Sequence, residues 1–312
     1  MTAPHRVAAI DCGTNSVRLL VAEASDAGFT ELARDLRITR LGQGVDAAGE
    51  FHQDALTRTF AACDEYAAVL ADLGVERVRF AATSAARDAR NREAFYAGVR
   101  ERLGVTPEII SGAEEAELSF TGALTANPDA DVPALVMDIG GGSTELVLGR
   151  PGRIARGISL DMGSVRLRER FLAGDPPTGA EITEAMEYVD DLLDASAVDF
   201  GAARTWFGVG GTATSLAAIV QGLETYDRAR VHGSVVRRTD LFELASRLLA
   251  MPVAEVLRVP TMQPGRADVI CAGALIAGRV GERLGVDLTV SEADILDGLV
   301  LGLLTPGPDA VG

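Results

Sequence analysis

Residues 135–149 read LVMDIGGGSTELVLG, and this stretch decides how the rest of the chain is interpreted. An apolar run ends at Asp138, three glycines follow, and a second apolar run resumes after Ser143. The pattern predicts a β-hairpin closed by a glycine turn. Glycine lets an anion approach the backbone amides, and Ser143 and Thr144 add hydroxyl donors, so the turn is suited to phosphate. A plain tight hairpin without a ligand explains the same pattern.

The chain contains a second copy of this stretch, VAAIDCGTNSVRLLV at residues 7–21. A shift of 127 positions aligns four residues of the two copies: Asp11 with Asp138, Gly13 with Gly140, Ser16 with Ser143, and Leu19 with Leu146. A repeat of this length is domain-sized and predicts two similar α/β domains, each with one phosphate-type hairpin. Two such hairpins facing each other across a cleft would hold a phosphate chain and a metal ion from both sides.

Three further motifs accompany the hairpins: ATSAARDARN at residues 82–91, IISGAEEAEL at 109–118, and a glycine loop, GVGGT, at 208–212. With its paired hairpins and glycine loop, the chain resembles the actin-like superfamily of acetate kinases, sugar kinases and heat-shock chaperones. Within it, the motifs resemble the exopolyphosphatase/guanosine pentaphosphate phosphohydrolase family, in family order and over almost the whole chain. The resemblance implies an α/β fold of two duplicated actin-like (ribonuclease H-like) domains with an interdomain cleft.

A polar linker, NPDADVP at residues 127–133, separates the predicted domains. We therefore assign residues 1–126 to domain I and residues 127–312 to domain II. By superfamily analogy the last helix, at about 293–304, would pack back toward domain I. The chain resembles the short, two-domain form of the family. Elsewhere, apolar spacing predicts a helix over 53–73 that ends before Gly74, and an acidic helix over 178–195.

Composition and charge narrow the function. The chain has 312 residues, of which 47% are hydrophobic and 24% charged, as expected for globular domains. Its formal net charge of −16 counts against nucleic-acid binding, so no nucleic-acid duplex is expected as a partner. All 29 basic residues are arginines, whose planar guanidinium matches phosphate oxygens two at a time.

No feature of the sequence indicates secretion, a membrane or a thiol site. No apolar run reaches the roughly 18 residues of a membrane span, and no signal-peptide pattern is visible, so we expect a cytoplasmic protein without a membrane partner. The three cysteines are widely separated and form no CxxC pair. We interpret Cys12, which lies in the first glycine turn, as a small buried filler. A homodimer is left open.

Two residues are candidates for catalysis. Ser111 and Glu114 have the spacing of a helix capping box, so the adjacent Glu115 needs another explanation. The resemblance implies that Glu115 is the general base that activates water. Arg87 lies just after a predicted junction of strand and helix, where an anion can bind. From the residues alone a solvated helix start explains Arg87 equally well, and the resemblance implies that Arg87 contacts phosphate.

The resemblance also implies the phosphate and metal ligands. The candidate metal ligands are Asp138 and Glu145, for Mg²⁺ or alternatively Mn²⁺, with Asp11 acting through water. Arg266 fits a phosphate-contacting arginine of the family, and a salt bridge with Asp268 is the alternative. The glycine loop at 208–212 is open to a guanosine, a distant phosphate or simple packing. The candidate phosphate-binding residues are Asp11, Gly13, Thr14, Asn15, Ser16, Gly140, Gly141, Gly142, Ser143, Thr144 and Arg266.

The implied reaction is magnesium-dependent hydrolysis of the terminal phosphate of inorganic polyphosphate, of guanosine pentaphosphate (pppGpp), or of both. The net negative charge favours short polyphosphates over long ones. Two other functions fit the same fold: a small-molecule kinase and a non-catalytic nucleotide-binding protein. No motif for a phosphate acceptor is visible, and Glu115 argues against a non-catalytic protein.

Overall fold

The computed structural model describes residues 5–26 and 28–305. Within those residues the strands are β1 (Arg6–Cys12), β2 (Ser16–Ser25), β3 (Gly28–Ile38), β4 (Arg77–Ala82), β5 (Glu108–Ile109), β6 (Ala134–Ile139), β7 (Thr144–Arg150), β8 (Arg153–Leu160), β9 (Thr205–Val209), β10 (Val235–Val236) and β11 (Leu288–Val290).

The α-helices of the same residues are α1 (Val45–Ala48), α2 (Gln53–Asp72), α3 (Ser84–Asp88), α4 (Arg92–Leu103), α5 (Gly112–Ala126), α6 (Ser164–Phe171), α7 (Gly179–Ala195), α8 (Gly210–Val220), α9 (Arg228–Val231), α10 (Arg238–Ala250), α11 (Val253–Val256), α12 (Ile270–Glu282) and α13 (Ile295–Leu304). Two short 3₁₀ helices cover Phe200–Ala202 and Pro264–Arg266.

The strands form two sheets that share one topology. The first has the order β3-β2-β1-β4-β5, and the second has the order β10-β11-β9-β6-β7-β8. In each sheet three consecutive strands pair antiparallel: β1, β2 and β3 in the first, and β6, β7 and β8 in the second. A fourth strand, β4 or β9, pairs in parallel with the first of the three, and a fifth, β5 or β11, pairs in parallel with the fourth. The second sheet has one additional edge strand, β10, which is antiparallel to β11. The shared order and directions confirm the predicted α/β fold with two similar halves.

The chain divides into two compact units. One contains the described residues up to Glu114 together with those from Ile295 onward, and the other contains Glu115–Asp294. The first unit holds the first sheet and α13, which packs on β1 and β2. The division falls inside α5, whereas the boundary predicted from the sequence lies at the end of this helix, after residue 126.

Both faces of the second sheet are covered by buried side chains. Leu135, Met137 and Ile139 of β6 belong to the larger core. Ala134 and Val136 belong to a smaller core with Ala116, Phe120, Ala123 and Leu124 of α5. Because strand side chains alternate between the two faces, Asp138 lies on the same face as Val136, under α5.

The cysteines are buried fillers, as the sequence suggested for Cys12. Cys12, Cys63 and Cys271 are free and buried. Burial raises the pKa of the Cys12 thiol well above its ordinary value and raises that of Cys63 to about 12, so neither thiol ionises readily at neutral pH. None of the helices in the described part of the chain combines the length and apolar character needed to cross a bilayer.

Candidate active site

The two glycine turns close in the same way. In the first turn the amide of Gly13 donates to the carbonyl of Ser16 at 2.9 Å, and in the second the amide of Gly140 donates to that of Ser143 at 3.0 Å. Both turns therefore have the local geometry expected from the repeat, and each joins the first two strands of its sheet.

In the second turn, the backbone carbonyls accept hydrogen bonds from α6. The Gly140 carbonyl accepts from the amide of Ser164 at 2.9 Å, and that of Gly141 accepts from Val165 at 2.8 Å. The Gly142 carbonyl accepts from Nε of Arg166 at 2.7 Å. Because the C=O and N–H of a peptide group point in opposite directions, the amides of Gly141 and Gly142, which follow the first two of these carbonyls, point away from α6 and are oriented to bind an anion.

The first turn is supported in the same manner by the segment after β3. The Thr14 carbonyl accepts from the amide of Gly42 at 2.8 Å, and the Asn15 carbonyl accepts from the amides of Thr39 and Arg40 at 3.1 and 2.9 Å. The segments behind the two turns thus hold equivalent positions, each following the third strand of its sheet.

The turn hydroxyls differ in what they can donate. The Thr144 hydroxyl donates to the carbonyl of Met162, so its proton is used within the fold. Ser143 hydrogen-bonds to the carboxylate of Glu145. The Thr14 hydroxyl is buried and has no hydrogen-bond partner among the described residues. Asn15 and Ser16 are half-buried.

The two hairpins differ in charge. In the first, Asp11 pairs across the strands with Arg18, which donates through Nε and Nη2 to Oδ2 of Asp11 at 3.0 and 2.6 Å. In the second, the cross-strand partner of Asp138 is Glu145. The first hairpin therefore neutralises its own aspartate, whereas the second places two carboxylates together. Sequence reasoning missed Arg18, although the shift of 127 positions that aligns the aspartates also aligns Arg18 with Glu145.

A buried polar cluster surrounds Asp138. Ser119 of α5 donates through Oγ to Oδ2 of Asp138 at 2.9 Å, and Ser159 of β8 donates to Oε1 of Glu145 at 2.7 Å. Glu115 lies one helical turn before Ser119 on α5. All three carboxylates are buried: Glu115, Asp138 and Glu145 are 9%, 9% and 2% exposed. The second unit therefore brings the predicted base together with both predicted metal ligands.

The electrostatics of this cluster favour a cation. Burial raises the pKa of Glu145 well above its ordinary value, and the negative charges of Glu115 and Asp138 raise it further, while hydrogen bonds from Ser159 and Ser143 oppose the shift. Without a cation, Glu145 therefore keeps a proton at a pH where an ordinary glutamate has lost it. A bound cation would favour the ionised form of Glu145.

The donor set fits a magnesium-type ion. In residues 5–26 and 28–305, no group of three or more histidine, cysteine, aspartate or glutamate side chains is arranged to hold a metal ion. Mg²⁺ does not need one, because it is commonly held by one or two carboxylates, with waters and substrate phosphates completing its coordination. Asp138 and Glu145 supply two carboxylates of this kind.

The helix that carries Arg87, α3, begins beside the first turn. The amide of Thr83, just before α3, donates to the carbonyl of Cys12 at 3.1 Å. Arg87 donates to the carbonyl of Ile110 at 3.1 Å. Further along, the Ser111 hydroxyl accepts from the amide of Glu114, as a cap does.

The Glu114 side chain does not complete the predicted capping box. Its carboxylate accepts from Nη2 of Arg79 at 2.6 Å instead. Glu114 and the neighbouring Glu115 therefore have different surroundings, since Glu115 is buried among carboxylates and Glu114 is paired with an arginine.

Packing accounts for the glycine loop before and within α8. A side chain at Gly208 would collide with Leu288, and one at Gly210 would come within 2.6 Å of Oδ1 of Asp138. Arg266 donates to the carbonyl of Gly211 and to Oγ of Ser215, both at 3.1 Å. The described bonds of Arg266 thus join it to the glycine loop, and its guanidinium fills the space beside Gly211.

Comparison with known proteins gives a consistent result. The model of the Ppx/GppA phosphatase family matches residues 20–305. A curated relative, Exopolyphosphatase 2 of Mycobacterium tuberculosis, is 47% identical, with 96% of this chain and 98% of the relative aligned.

Two solved structures are similar over comparable lengths. The crystal structure of an exopolyphosphatase-like protein has a TM-score of 0.92 and 41% identity, covering 96% of this chain and 98% of that one. The Aquifex aeolicus member of the Ppx/GppA protein family has a TM-score of 0.81 and 32% identity, covering 96% and 97%.

Proposed function

This chain belongs to the Ppx/GppA phosphatase family, and we propose that it is an exopolyphosphatase that hydrolyses the terminal phosphoanhydride bond of inorganic polyphosphate. The observation that carries the proposal is the buried cluster of Glu115, Asp138 and Glu145 beside the second glycine turn. Such a cluster has the groups that phosphoanhydride hydrolysis requires: a base for water and carboxylates for a cation.

The backbone turns bind the terminal phosphates in this proposal. The amides that follow Gly13 and Gly140 donate to phosphate oxygens, because the carbonyls of both turns are held by the segments behind them. Thr14 adds its buried hydroxyl. Arg87 stabilises the charge that develops on the transferred phosphoryl group, as arginines do in phosphoryl transfer.

Asp138 and Glu145 hold a divalent cation, which we propose is Mg²⁺, with Mn²⁺ able to replace it. When bound, the ion neutralises phosphate charge and positions the leaving group. Glu115 takes the proton of the attacking water. Its burial excludes competing bulk water, and its position on α5 keeps the carboxylate next to Asp138 and Glu145.

We propose polyphosphate rather than pppGpp as the main substrate, because packing explains the glycine loop at 208–212 without a bound nucleoside. A Cβ atom at Gly208, Gly210 or Gly211 would come too close to the side chain of Leu288, Asp138 or Arg266, respectively. The proposal of pppGpp as a second substrate depends only on the family resemblance. Hydrolysis of the two compounds in parallel distinguishes them.

The test compares phosphate release by wild type, Glu115→Gln and Glu117→Gln with Mg²⁺ and polyphosphate, pppGpp or ATP. Glu117 lies two residues away on the exposed side of α5 and is the matched control. We expect Glu115→Gln to lower kcat by about 100- to 10,000-fold, the usual contribution of a general base. Glu117→Gln should retain wild-type turnover. Retained hydrolysis in Glu115→Gln would remove Glu115 from the mechanism.

A second result would overturn the reaction class. If wild type releases no phosphate from polyphosphate or pppGpp but consumes ATP when a hydroxyl acceptor is added, the protein is a kinase of the same fold. Binding of ATP without turnover under either condition would indicate a non-catalytic nucleotide-binding protein.

A further inference from the structure

The Ser119 hydroxyl makes an unusual contact for a helix residue. Serine and threonine hydroxyls inside helices commonly donate to the carbonyl four residues earlier. Thr121, on the same helix, donates to the Glu117 carbonyl in this way, and Thr57, Thr59, Thr183 and Ser246 follow the same pattern in their helices. Ser119 instead donates to Oδ2 of Asp138, in a fully buried position.

This contact fixes the orientation of the Asp138 carboxylate. One oxygen, Oδ2, accepts the Ser119 hydroxyl at 2.9 Å. The other, Oδ1, lies so close to the backbone of Gly210 that an added Cβ would come within 2.6 Å of it. One oxygen of the carboxylate is therefore hydrogen-bonded to α5, while the other faces the start of α8, where a glycine leaves room for it.

The chemistry of the donor distinguishes this hairpin from the first one. Asp11 is held by Arg18, which fixes the carboxylate and also neutralises it. Asp138 accepts from the neutral hydroxyl of Ser119, which orients the carboxylate without adding a positive charge. Glu145 likewise accepts a hydrogen bond from a neutral hydroxyl, that of Ser159. Neutral donors to both carboxylates suit a site whose charge is balanced by a cation.

We propose that Ser119 is a positioning residue that orients Asp138 for a divalent cation. The inference rests on the proposed function only in taking Asp138 as a ligand of that cation. Hydrogen-bonded partners of metal ligands typically contribute about 10- to 100-fold to metal affinity or activity. Ser119 acts on the cation through Asp138 and does not contact substrate.

The test measures Mn²⁺ binding directly, by the electron paramagnetic resonance signal of free Mn²⁺ in titrations of the full-length protein without substrate. The variants are Ser119→Ala, Ser119→Cys, Thr121→Ala and Asp138→Asn. We expect Ser119→Ala to weaken Mn²⁺ binding by about 10- to 100-fold, with Ser119→Cys intermediate because a thiol is a weaker donor. Thr121→Ala should bind as wild type does, and Asp138→Asn should bind most weakly.

A kinetic measurement separates positioning from a general loss of structure. In Ser119→Ala, the Mg²⁺ concentration for half-maximal phosphate release should rise by the same factor, and turnover should recover at saturating Mg²⁺. A cooperative thermal unfolding transition of each metal-free variant would show that the variant is folded. A folded Ser119→Ala whose Mn²⁺ dissociation constant stays within about twofold of wild type, well below the expected change, would overturn the proposal.

The two proposals fail separately. If wild type releases no phosphate from any substrate but Ser119→Ala still weakens Mn²⁺ binding, the substrate is wrong and the role of Ser119 holds. If Asp138→Asn binds Mn²⁺ as wild type does, the cation lies elsewhere and the role of Ser119 is overturned, whatever the substrate.

Discussion

At the residue scale, the partner of each aspartate decides what its hairpin can bind. Asp11 and Asp138 occupy equivalent positions in the repeat, at the end of the first strand of each sheet. A cross-strand arginine balances the first, and a cross-strand glutamate faces the second. One substitution in a duplicated hairpin is thus enough to leave an excess of negative charge at the second turn. The excess negative charge should affect the stability of the protein as well as its binding of cations.

The stability of the metal-free protein should fall as the pH rises through the titration range of Glu145. Its pKa in the native state is raised above the ordinary value of 4.5, so the native state holds a proton that the unfolded state has lost. By linkage, the free energy of unfolding decreases as the pH rises from about 4.5 toward the raised pKa. Below about pH 4.5 Glu145 is protonated in both states, so it adds no pH dependence there.

Glu145→Gln should remove this part of the pH dependence, because the glutamine is neutral and keeps an oxygen for Ser159. The measurement is urea unfolding of metal-free wild type and variant from about pH 4.5 to about pH 8. Glu117→Gln, on the exposed side of α5, should keep the wild-type slope. Equal slopes for wild type and Glu145→Gln would show that Glu145 ionises normally in the native state.

At the element scale, the glycine turns depend on the elements behind them. The start of α6 binds the carbonyls of the second turn, and the segment after β3 does the same for the first. Both supports contain a glycine that allows close approach: a Cβ at Gly163 would lie 2.3 Å from the Gly141 carbonyl, and one at Gly42 would lie 2.2 Å from the Thr14 methyl. The first collision is with backbone and the second with a side chain, so Gly163 is the less replaceable of the two.

Gly163→Ala should impair activity through the shape of the second turn. The backbone at Gly163 is extended, with φ −109°, which any residue adopts, so the added Cβ acts only by displacing α6 or the turn. A displacement near 1 Å can cost about 100-fold in rate. We expect a loss of that order in kcat/KM for polyphosphate, measured by phosphate release.

The matched control is Gly302→Ala, in α13, where no atom of the described residues outside the neighbouring helix backbone lies within 4 Å of the added Cβ. This change should leave activity intact and stabilise the protein by about 0.5–1 kcal/mol, since alanine is favoured over glycine inside a helix. Wild-type activity in Gly163→Ala would show that the turn tolerates movement of its support.

At the scale of the whole molecule, net charge opposes a polyanionic substrate. The chain carries a formal charge of −16 and contains arginine as its only strongly basic residue type. The proposed cation at Asp138 and Glu145 would offset this charge only locally, whereas each added phosphate lengthens the anion that approaches an acidic protein.

Short polyphosphates should therefore be hydrolysed faster per chain end than long ones at low ionic strength. The difference should narrow as salt is added, because the screening length falls to about 10 Å at 0.1 M. The measurement is kcat/KM per chain end for chains of defined length at several salt concentrations and fixed free Mg²⁺. A steady rise of turnover per end with chain length at low salt would contradict this expectation.

The sequence alone determined the features that depend on local pattern. The glycine turns, the repeat of two α/β halves and the acidic helix after Thr178 follow from periodicity, turn residues and capping. The helix predicted over 53–73 is observed as Gln53–Asp72, and Gly74 follows with φ +60°. The turns and helices were predictable because the residues that specify them are neighbours in the chain, and the repeat was visible because its two copies share residues at a constant shift of 127 positions.

Only the tertiary structure decided which side chains share a site. Nothing near Ser119 in the sequence indicates that its hydroxyl bonds to Asp138 and not to its own helix. The capping spacing of Ser111 likewise concealed the pairing of Glu114 with Arg79. Partners of this kind depend on how α5 packs on its sheet, and that packing is set by apolar contacts along the whole helix. Local pattern therefore specified the elements, and long-range burial specified the charges that meet.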